Sequence, residues 1–413
     1  MFLNYLKTAW KVFMRRKLFT AINLLCIVIT LVVLVVATAL LEYTFFPSGV
    51  EGRSDRFVQI YTLTTRPQDG VGRMRSPLGA KLVDHYLRPL KTAEVVAMAS
   101  GPRDVSVYQD GQVSKLQLRR VDANYWKIMD FRLLAGRLPN ADDDQQGRFV
   151  AVLNQTTARR LFGSAPAVGQ PLNAGGQAFK VIGVVEDAMH LNAWSDIWVP
   201  VTTMPSTAYR SEMSGEFFAL LMAPSPAGVA ALQADIARVA RTVQFDDPVK
   251  HAQAWFWGDS KLDVIARMVT QSDQTEDSGA AILLSVLGIA MLLFMLLPAL
   301  NLVNLNAGRI MERSGEIGVR KAFGATNAQL VGQFIFENVF LCLLGGLLAL
   351  GLAQLVLMWI NASQLIPYLS IGINLPVFGA GLLIAAIFGT LSGAIPAWKM
   401  SRMDPVVALK GVA

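Results

Sequence analysis

The sequence has few of the residues that build reactive or cross-linked sites. Its 413 residues include two cysteines and three histidines. Two cysteines exclude a disulfide-dense scaffold, and three histidines leave little for a multi-histidine metal site. His85, His190 and His251 are far apart in the chain, so we interpret them as core or surface residues. Cys26 and Cys342 lie in apolar runs, where a thiol packs as a small apolar side chain.

Nucleotide and hydrolase motifs are also missing. The chain has no G-x-x-x-x-G-K-[ST] phosphate loop, no G-x-S-x-G and no H-E-x-x-H. We therefore expect no catalytic residue, no bound cofactor and no metal on this chain. Asp142-Asp-Asp144 lacks an EF-hand pattern, and we interpret it as a solvated turn.

Charge is scarce as well. Charged residues make up 16% of the chain and hydrophobic residues 53%, with a mean hydropathy of +0.42. A soluble domain carries about 25% charge, so the composition indicates a membrane protein. Long runs without charge occupy 18–41, 278–308 and 338–398. Since a span needs about 20 apolar residues, these runs predict four transmembrane helices, near 19–41, 280–304, 332–359 and 376–397.

The distribution of charge predicts the orientation. Residues 43–277 are neutral, so the net charge of +7 lies in or beside the apolar runs. Basic residues precede the first span, separate the second from the third and follow the fourth. The positive-inside rule makes that side cytoplasmic, with both termini inside and 43–277 outside. Because this charge is explained by topology, nucleic-acid binding loses its support.

The domain plan follows from these spans. A cleaved signal peptide is the alternative for the first span, but the run exceeds the 7–15 apolar residues usual there. Residues 1–17 fit an amphipathic helix at the lipid surface, or simply the basic start of the first span. The segments are 1–17 (interface helix), 18–42 (span one), 43–277 (external domain), 278–305 (span two), 306–329 (cytoplasmic helix and turn), 330–360 (span three), 361–375 (external loop), 376–397 (span four) and 398–413 (tail).

The external segment mixes strand and helix patterns, which predicts an α+β domain of one or two subdomains. Asp110-Gly111 between two apolar runs indicates a hairpin. A strand at 149–153 feeds a short helix that Asn154 caps and Gly163 ends. The overall class is therefore four transmembrane α-helices with a large α+β domain between the first two.

A charged segment between spans two and three is the most informative on the cytoplasmic side. Opposite charges at i,i+3 and i,i+4 favour a short helix, which Gly324 would end, and Thr326 to Gln329 form a capping box for the next helix. A solvated connecting helix is an equally good interpretation from charge pairing alone. The residues concerned are Arg309, Glu312, Arg313, Glu316, Arg320 and Lys321.

The predicted spans contain further candidate functional and helix-packing residues. Glu337 is a carboxylate inside a predicted span, and such residues are candidate functional sites by default. A structural hydrogen-bonding role fits Glu337 equally well. Pro298 predicts a kink in span two. Small residues favour close helix packing, within one subunit or between subunits; they are Gly345, Gly346, Gly389 and Gly393.

Several ordered motifs resemble the macrolide-exporter-type (MacB/FtsX-like) permeases of ABC transporters. On the cytoplasmic and membrane side they are 316–326, 333–337, the glycines of span three and 395–410. In the external part they are 121–126, 134–137, 152–156, 160–163, 168–169 and 181–187. The resemblance covers nearly the whole chain. It implies that the external domain divides into a membrane-near subdomain and an inserted distal one, at about 112–205.

This resemblance implies a permease dimer, homomeric or heteromeric, in the bacterial inner membrane. Segment 309–324 would be a coupling helix on a separate ATPase subunit, which binds ATP and magnesium, because the chain starts 17 residues before the first span. ATP-driven motion would reach the periplasmic domain by mechanotransmission and drive export of a periplasmic peptide or small amphiphile, through an adaptor and an outer-membrane duct. Lipoprotein extraction and control of a periplasmic enzyme are alternatives within the family. A membrane receptor is the alternative from another class, and a secondary transporter is disfavoured because no inverted repeat is evident.

Overall fold

The computed structural model describes residues 11, 13–14, 17–109, 111–272, 277–294, 296, 319, 323–363, 371–376, 378–383, 386–387 and 390. They fall into two compact units. One contains Tyr43–Leu283. The other contains the described residues up to Glu42 and those from Leu284 onward.

The α-helices include long apolar elements and short amphipathic ones. Their bounds are α1 Lys17–Phe45, α2 Ala80–Leu82, α3 Tyr125–Ile128, α4 Ala141–Gln145, α5 Gln155–Phe162, α6 Val229–Ala240, α7 Lys261–Thr270, α8 Ala280–Phe294 and α9 Asn327–Ser363. A π-helical turn, Val83–Leu87, extends α2. Single 3₁₀ turns occur at Gly49–Glu51, Val201–Thr203, Ala208–Ser211 and Pro226–Gly228.

Two of these helices are long and apolar enough to cross a membrane, over Thr20–Phe45 and Ala328–Ser363. They coincide with the first and third predicted spans. Helix α8 is apolar but shorter within the described residues, and most of the fourth predicted span lies outside them. The four-helix count therefore stays a prediction. The capping box before α9 is confirmed, because the Thr326 amide donates to Oε1 of Gln329 and the Gln329 amide donates to Oγ1 of Thr326.

Two β-sheets build the unit of residues 43–283. The strands are β1 Phe57–Ile60, β2 Leu63–Arg66, β3 Met74–Ser76, β4 Val95–Ser100, β5 Arg103–Gln109, β6 Gln112–Val121, β7 Leu133–Gly136, β8 Val150–Asn154, β9 Pro171–Ala174, β10 Gln177–Val185, β11 Ile197–Pro200, β12 Phe217–Met222 and β13 Gln253–Trp255. A three-stranded sheet has the order β13-β2-β3, and all its pairs are antiparallel. The larger sheet contains the other ten strands, so this unit has the predicted α+β character.

Part of the large sheet closes on itself. Strands β5, β6, β11, β8, β10 and β9 pair in turn, and β9 pairs again with β5. Closure removes the exposed edges of these strands. The end of β6 also pairs with β4, at Val121 and Ala99, and the sheet continues from β4 to β12 and β1. The predicted hairpin is confirmed by the antiparallel β5–β6 pair, whose last partners are Gln109 and Gln112. The subdomain at 112–205 stays a prediction.

Three apolar clusters fill this unit. One lies under α2 and α6 and includes Leu63, Leu82 and Phe256. A second is aromatic, with Trp126 and Trp198 at its centre. The third belongs to the closed strands and to α5. The caps of α5 are as predicted, since the Asn154 side chain accepts from the Thr157 amide and Gly163 follows the helix at φ +61°. Burial of this apolar surface is the main force that holds the unit together.

The turn at 142–144 is not simply solvated. Asp143 is fully buried, because Arg137 and Arg148 both pair with its carboxylate and it closes a capping box with Asn140. These contacts hold the pKa of Asp143 at about 2. The expectation of an open acidic turn was wrong for this residue, since sequence spacing did not reveal two arginines converging on it.

Candidate functional site

Most of the predicted coupling segment lies outside the described residues. This applies to Arg309, Glu312, Arg313, Glu316, Arg320 and Lys321, and also to Pro298, Gly389 and Gly393. Gly324 is described and has φ +87°, a backbone conformation that glycine adopts at least cost. The coupling role of this segment stays a prediction.

The candidates on α9 lie against neighbouring helices. Glu337 is nearly buried and its Oε1 accepts a hydrogen bond from Nε2 of Gln333, at 3.0 Å. A Cβ on Gly345 would lie 2.6 Å from Cγ2 of Ile27 on α1, and one on Gly346 would overlap Leu382. The two glycines therefore allow close packing of helices within this chain, as small residues do in membrane helices.

A buried ion pair lies where the chain leaves α1. Nζ of Lys261, the first residue of α7, is 2.8 Å from Oε2 of Glu51 in the 3₁₀ turn that follows α1. The two side chains are 4% and 0% exposed. The same ammonium group donates to the carbonyl oxygen of Tyr43, in the last turn of α1, at 3.3 Å. One lysine thus links the end of α1, the turn after it and the start of α7.

Asn192 brings the loop between β10 and β11 into the same network. Its backbone and side-chain N–H groups donate to Oε1 of Glu51, at 2.8 and 3.0 Å. Tyr61 donates to its side-chain oxygen and Tyr125 to its carbonyl oxygen. Glu51 is therefore held by an ion pair on one oxygen and by two donors on the other, which is what a buried carboxylate requires.

His190 completes the network from the same loop. Its Nδ1 lies 3.2 Å from the hydroxyl of Tyr43 and its Nε2 lies 3.0 Å from Oγ of Ser48. Burial lowers the pKa of His190 to about 4, although Glu51 opposes that shift and Lys261 adds to it. The imidazole is therefore neutral at neutral pH. Gly49 packs against it at φ +48°, where a Cβ would lie 2.7 Å from Cε1 of the ring.

We call this set the polar joint; its members are Tyr43, Ser48, Glu51, His190, Asn192 and Lys261. Low-dielectric surroundings strengthen each of its bonds and make each unpaired partner costly. The joint therefore resists separation of the three chain segments that supply it. Among the described residues, no group of three or more His, Cys, Asp and Glu side chains is placed to hold a metal.

Helix α7 connects the joint to the start of α8. Asp263, in its first turn, accepts from the Ser260 amide and hydroxyl through one oxygen and from the Ser278 hydroxyl through the other. Further along, the Thr270 hydroxyl packs on Gly279, directly before α8. The chain entering α8 is therefore bonded back onto α7.

An acid–base pair lies one turn further along α7, on the same face as Asp263. The guanidinium Nε of Arg267 is 2.8 Å from a carboxylate oxygen of Asp259, and the guanidinium carbon lies 4.1 Å from the ring centroid of Trp257. Burial raises the pKa of Asp259 to about 7, and the ion pair with Arg267 opposes this shift. The pair anchors α7 to the strand β1 region, where the backbones of Gln59 and Asp259 exchange hydrogen bonds.

The polar joint was missed by sequence reasoning, which treated its histidine as isolated. One signal was present in the sequence. Lys261 directly follows the cap Ser260, and a cation in the first turn of a helix faces the positive end of the helix dipole. A nearby carboxylate would offset this unfavourable interaction. The chain position of Glu51, 210 residues earlier, gave no indication that it supplies one.

The matches to protein families agree with this architecture. Residues 20–239 match the MacB-like periplasmic core domain, and residues 288–405 match the FtsX-like permease C-terminal domain. The chain belongs to the MacB/FtsX-like permeases of ABC transporters with a periplasmic core domain. It is thus a membrane protein with a periplasmic segment.

Three relatives are 25% to 28% identical to the chain over the residues that align. The ABC transporter permease YknZ of Bacillus subtilis is 25% identical over 70% of this chain and 68% of its own length. The macrolide export ATP-binding/permease protein MacB 2 of Aeromonas hydrophila is 28% identical over 70% of this chain and 42% of its own length. The pyoverdine export ATP-binding/permease protein PvdT of Pseudomonas fluorescens is 25% identical over 98% of this chain and 59% of its own length.

Solved structures resemble parts of the chain. The extracellular domain of YknZ aligns at a TM-score of 0.35 with 18% identity, over 48% of this chain and 99% of that one. The periplasmic region of MacB from Actinobacillus actinomycetemcomitans aligns at a TM-score of 0.39 with 16% identity, over 54% of this chain and 97% of that one.

Proposed function

We propose that this chain is the permease subunit that transmits motion from a separate cytoplasmic ATPase to the periplasmic domain of an ABC transporter. The ATPase subunit, which binds ATP and magnesium, acts through segment 309–324 at the inner face of the membrane. A second permease completes the dimer. The transmitted motion drives export of a periplasmic peptide or small amphiphile, through an adaptor and an outer-membrane duct, by mechanotransmission. Both termini are cytoplasmic and the membrane is the bacterial inner membrane.

The polar joint is the observation that carries the proposal. Helix α1 runs without interruption from Lys17 to Phe45 and brings Tyr43 directly into the joint. Helix α7 starts in the joint at Lys261 and holds the chain that enters α8. Displacement of either apolar helix along its axis would therefore act on the Glu51–Lys261 pair.

The pair also connects to the closed strands. Asn192 and His190 lie in the loop that joins β10 to β11, two strands of that closed set. A force on Glu51 reaches this loop through two hydrogen bonds with donor–acceptor distances of 2.8 and 3.0 Å. Short bonds inside a packed interior pass displacement on rather than absorb it, because such interiors have low compressibility. Motion of the spans would thus move the periplasmic domain without a substrate path through the membrane.

The first experiment is capture of the tagged chain from membranes in mild detergent. A co-purifying ATPase with measurable ATP turnover supports the proposal, and a co-purifying periplasmic adaptor supports export. In cells, substrate export is then compared between the wild type, Glu51→Gln and the double variant Glu51→Gln/Lys261→Met.

Transmission predicts that breaking the joint uncouples turnover from export. Glu51→Gln should leave ATP hydrolysis close to wild type while export falls, and the double variant should show whether a neutral joint restores it. Glu186→Gln is a matched control, since Glu186 is half exposed and pairs only at 3.7 Å with Arg132. Full export by a Glu51→Gln protein that inserts and folds normally would overturn the role of the joint. Failure to capture an ATPase, with and without cross-linking, would overturn the proposal as a whole.

A further inference from the structure

Helix α7 lies between the point where the chain leaves one apolar helix and the point where it enters the next. Its first residue, Lys261, donates to the carbonyl oxygen of Tyr43 in the last turn of α1. At its other end, the Thr270 hydroxyl packs on Gly279, directly before α8. The ten residues of α7 cover about 15 Å. The helix therefore runs directly from the end of α1 to the start of α8.

These two points mark one surface of the membrane. The run without charge in α1 ends at Leu41, and the run without charge that contains α8 begins at Ser278. A span enters or leaves the hydrocarbon where such a run begins or ends. Because α7 contacts both points, it lies along the lipid surface. This step rests on α8 as the start of the second predicted span, and it does not depend on the proposed transmission.

The charged side chains of α7 are all engaged within the protein. Lys261 belongs to the polar joint, and Asp263 accepts hydrogen bonds from Ser260 and Ser278. Arg267 pairs with the carboxylate four residues before the helix turn that Asp263 begins, at Asp259. On an ordinary surface helix the charged side faces water. The charged side of α7 instead bonds to the rest of the domain.

Apolar side chains occupy the outer side of α7. Leu262, Ile265 and Val269 recur at i, i+3 and i+7, which places them on the side of the helix opposite to Arg267. Val269 is 62% exposed and its neighbour Met268 is 55% exposed. Leu262 and Ile265 are partly exposed. The helix thus presents an apolar side outward, which is the reverse of what water as the only solvent would favour.

Exposed apolar side chains also occur where the two apolar helices meet α7. Phe46, directly after α1, is exposed, and so is Ile282 in the first turn of α8. Exposed apolar surface of this kind marks an interaction site. Since the two adjoining helices enter the membrane at these points, the partner that covers the surface is lipid.

We propose that α7 is an interfacial helix whose outer side, formed by Leu262, Ile265, Met268 and Val269, inserts into the periplasmic leaflet of the membrane. Helices of this kind bury their apolar side about 5–10 Å into the boundary between headgroups and acyl chains. No headgroup charge is needed, because the charged side chains of α7 already have partners in the protein. The periplasmic domain then contacts lipid through α7 as well as through its two connections to the spans.

The test measures the surroundings of a spin label in the full chain, reconstituted in phosphatidylcholine nanodiscs. Cys26→Ala and Cys342→Ala give a cysteine-free background, and Val269→Cys then carries the label. Molecular oxygen concentrates among acyl chains, whereas the polar nickel complex NiEDDA stays in water, so relaxation by the two agents distinguishes lipid from water. Val113→Cys is the matched control, because Val113 is 60% exposed on the β5–β6 hairpin.

We expect oxygen to relax the label at position 269 more strongly than NiEDDA does, and the reverse at position 113. Stronger relaxation by NiEDDA at position 269 would show that this side of α7 faces water. A label there that neither agent reaches would show that protein covers it, for example a second copy of this chain. Either result would overturn the proposal.

A second experiment uses no label and separates lipid contact from the intrinsic stability of the helix. Met268→Ala/Val269→Ala raises the helix propensity of α7 but removes apolar contact with lipid. Hydrogen exchange of the α7 amides in nanodiscs should therefore become about tenfold faster than in the wild type. Val113→Ala is the control and should leave exchange in α7 unchanged. Unchanged or slower exchange in the double variant would also overturn the proposal.

Discussion

The ion pair of the polar joint makes a quantitative prediction. Lys261→Met removes the ammonium group and leaves Glu51 charged and 0% exposed, with only the two Asn192 donors. Breaking a buried pair costs about 3–5 kcal/mol. Asn192 still donates hydrogen bonds to one carboxylate oxygen. We therefore expect a loss of stability at the lower end of this range, about 3 kcal/mol.

Substitution of the other partner, Glu51, should lower the free energy of unfolding by a similar amount. Glu51→Gln leaves Lys261 charged and buried, with the Tyr43 carbonyl at 3.3 Å, so about 3 kcal/mol is expected again. The double variant Glu51→Gln/Lys261→Met removes both charges together. Replacing a whole buried pair with neutral groups is close to neutral, so its cost should be within about 2 kcal/mol of the wild type. The coupling energy between the two sites is then at least about 4 kcal/mol.

Hydrogen exchange at the Asn192 amide is the assay, since this N–H donates directly to Glu51 at 2.8 Å. Its protection factor gives the free energy of local opening in each of the four proteins. Glu186→Gln is the control and should leave that protection unchanged, because Glu186 is exposed. A coupling energy below about 1 kcal/mol, the level of a surface pair, would refute the reasoning that the pair is buried and mutually dependent.

Three further predictions follow from neighbouring residues. Burial lowers the pKa of His190 from 6.5 to about 4. The neutral imidazole therefore contributes stability that is present above pH 6.5 and is lost as the pH falls towards 4, by about 3 kcal/mol. Thermal unfolding scans at pH 7 and pH 4 should show a larger decrease in melting temperature for the wild type than for His190→Gln. Gly49→Ala should destabilise the protein by about 1–3 kcal/mol, because residue 49 has φ +48° and the added Cβ would clash with the His190 ring. Gly70→Ala is the control in denaturant unfolding, since Gly70 also has a positive φ but lies in open space. Equal losses of stability in the two variants would argue against the clash. Glu316→Lys should reduce ATPase stimulation by the permease without changing membrane insertion, and normal ATP-dependent activity would remove the coupling role from segment 309–324.

The parts of the fold that sequence reasoning predicted are those set by local chemistry. A capping box needs only four consecutive residues, so the start of α9 at Thr326 was predictable from its own sequence. The same holds for Asn154 and Gly163 at the two ends of α5. Apolar runs likewise identify α1 and α9, since the length of a hydrophobic segment is a local property.

The parts that were missed depend on contacts between distant segments. Glu51 and Lys261 meet only because the β10–β11 loop, the end of α1 and the start of α7 converge. Nothing in the local sequence around Asp143 indicated that Arg137 and Arg148 would both pair with it and bury it. The closure of β9 onto β5 is a further non-local pairing, which hydrophobic alternation in single strands does not encode.

The central claim is that the chain passes ATP-driven motion to its periplasmic domain through the polar joint. Hydrogen exchange in the assembled transporter tests this claim most directly. The purified permease with its captured ATPase is compared with and without a non-hydrolysable ATP analogue, in the wild type and in Glu316→Lys. Transmission predicts that the analogue changes exchange at amides of Glu51, Asn192 and the first turn of α7 in the wild type, and that Glu316→Lys abolishes this change while nucleotide still binds. Exchange at these amides that does not respond to nucleotide in a wild-type complex with active ATPase would contradict the account.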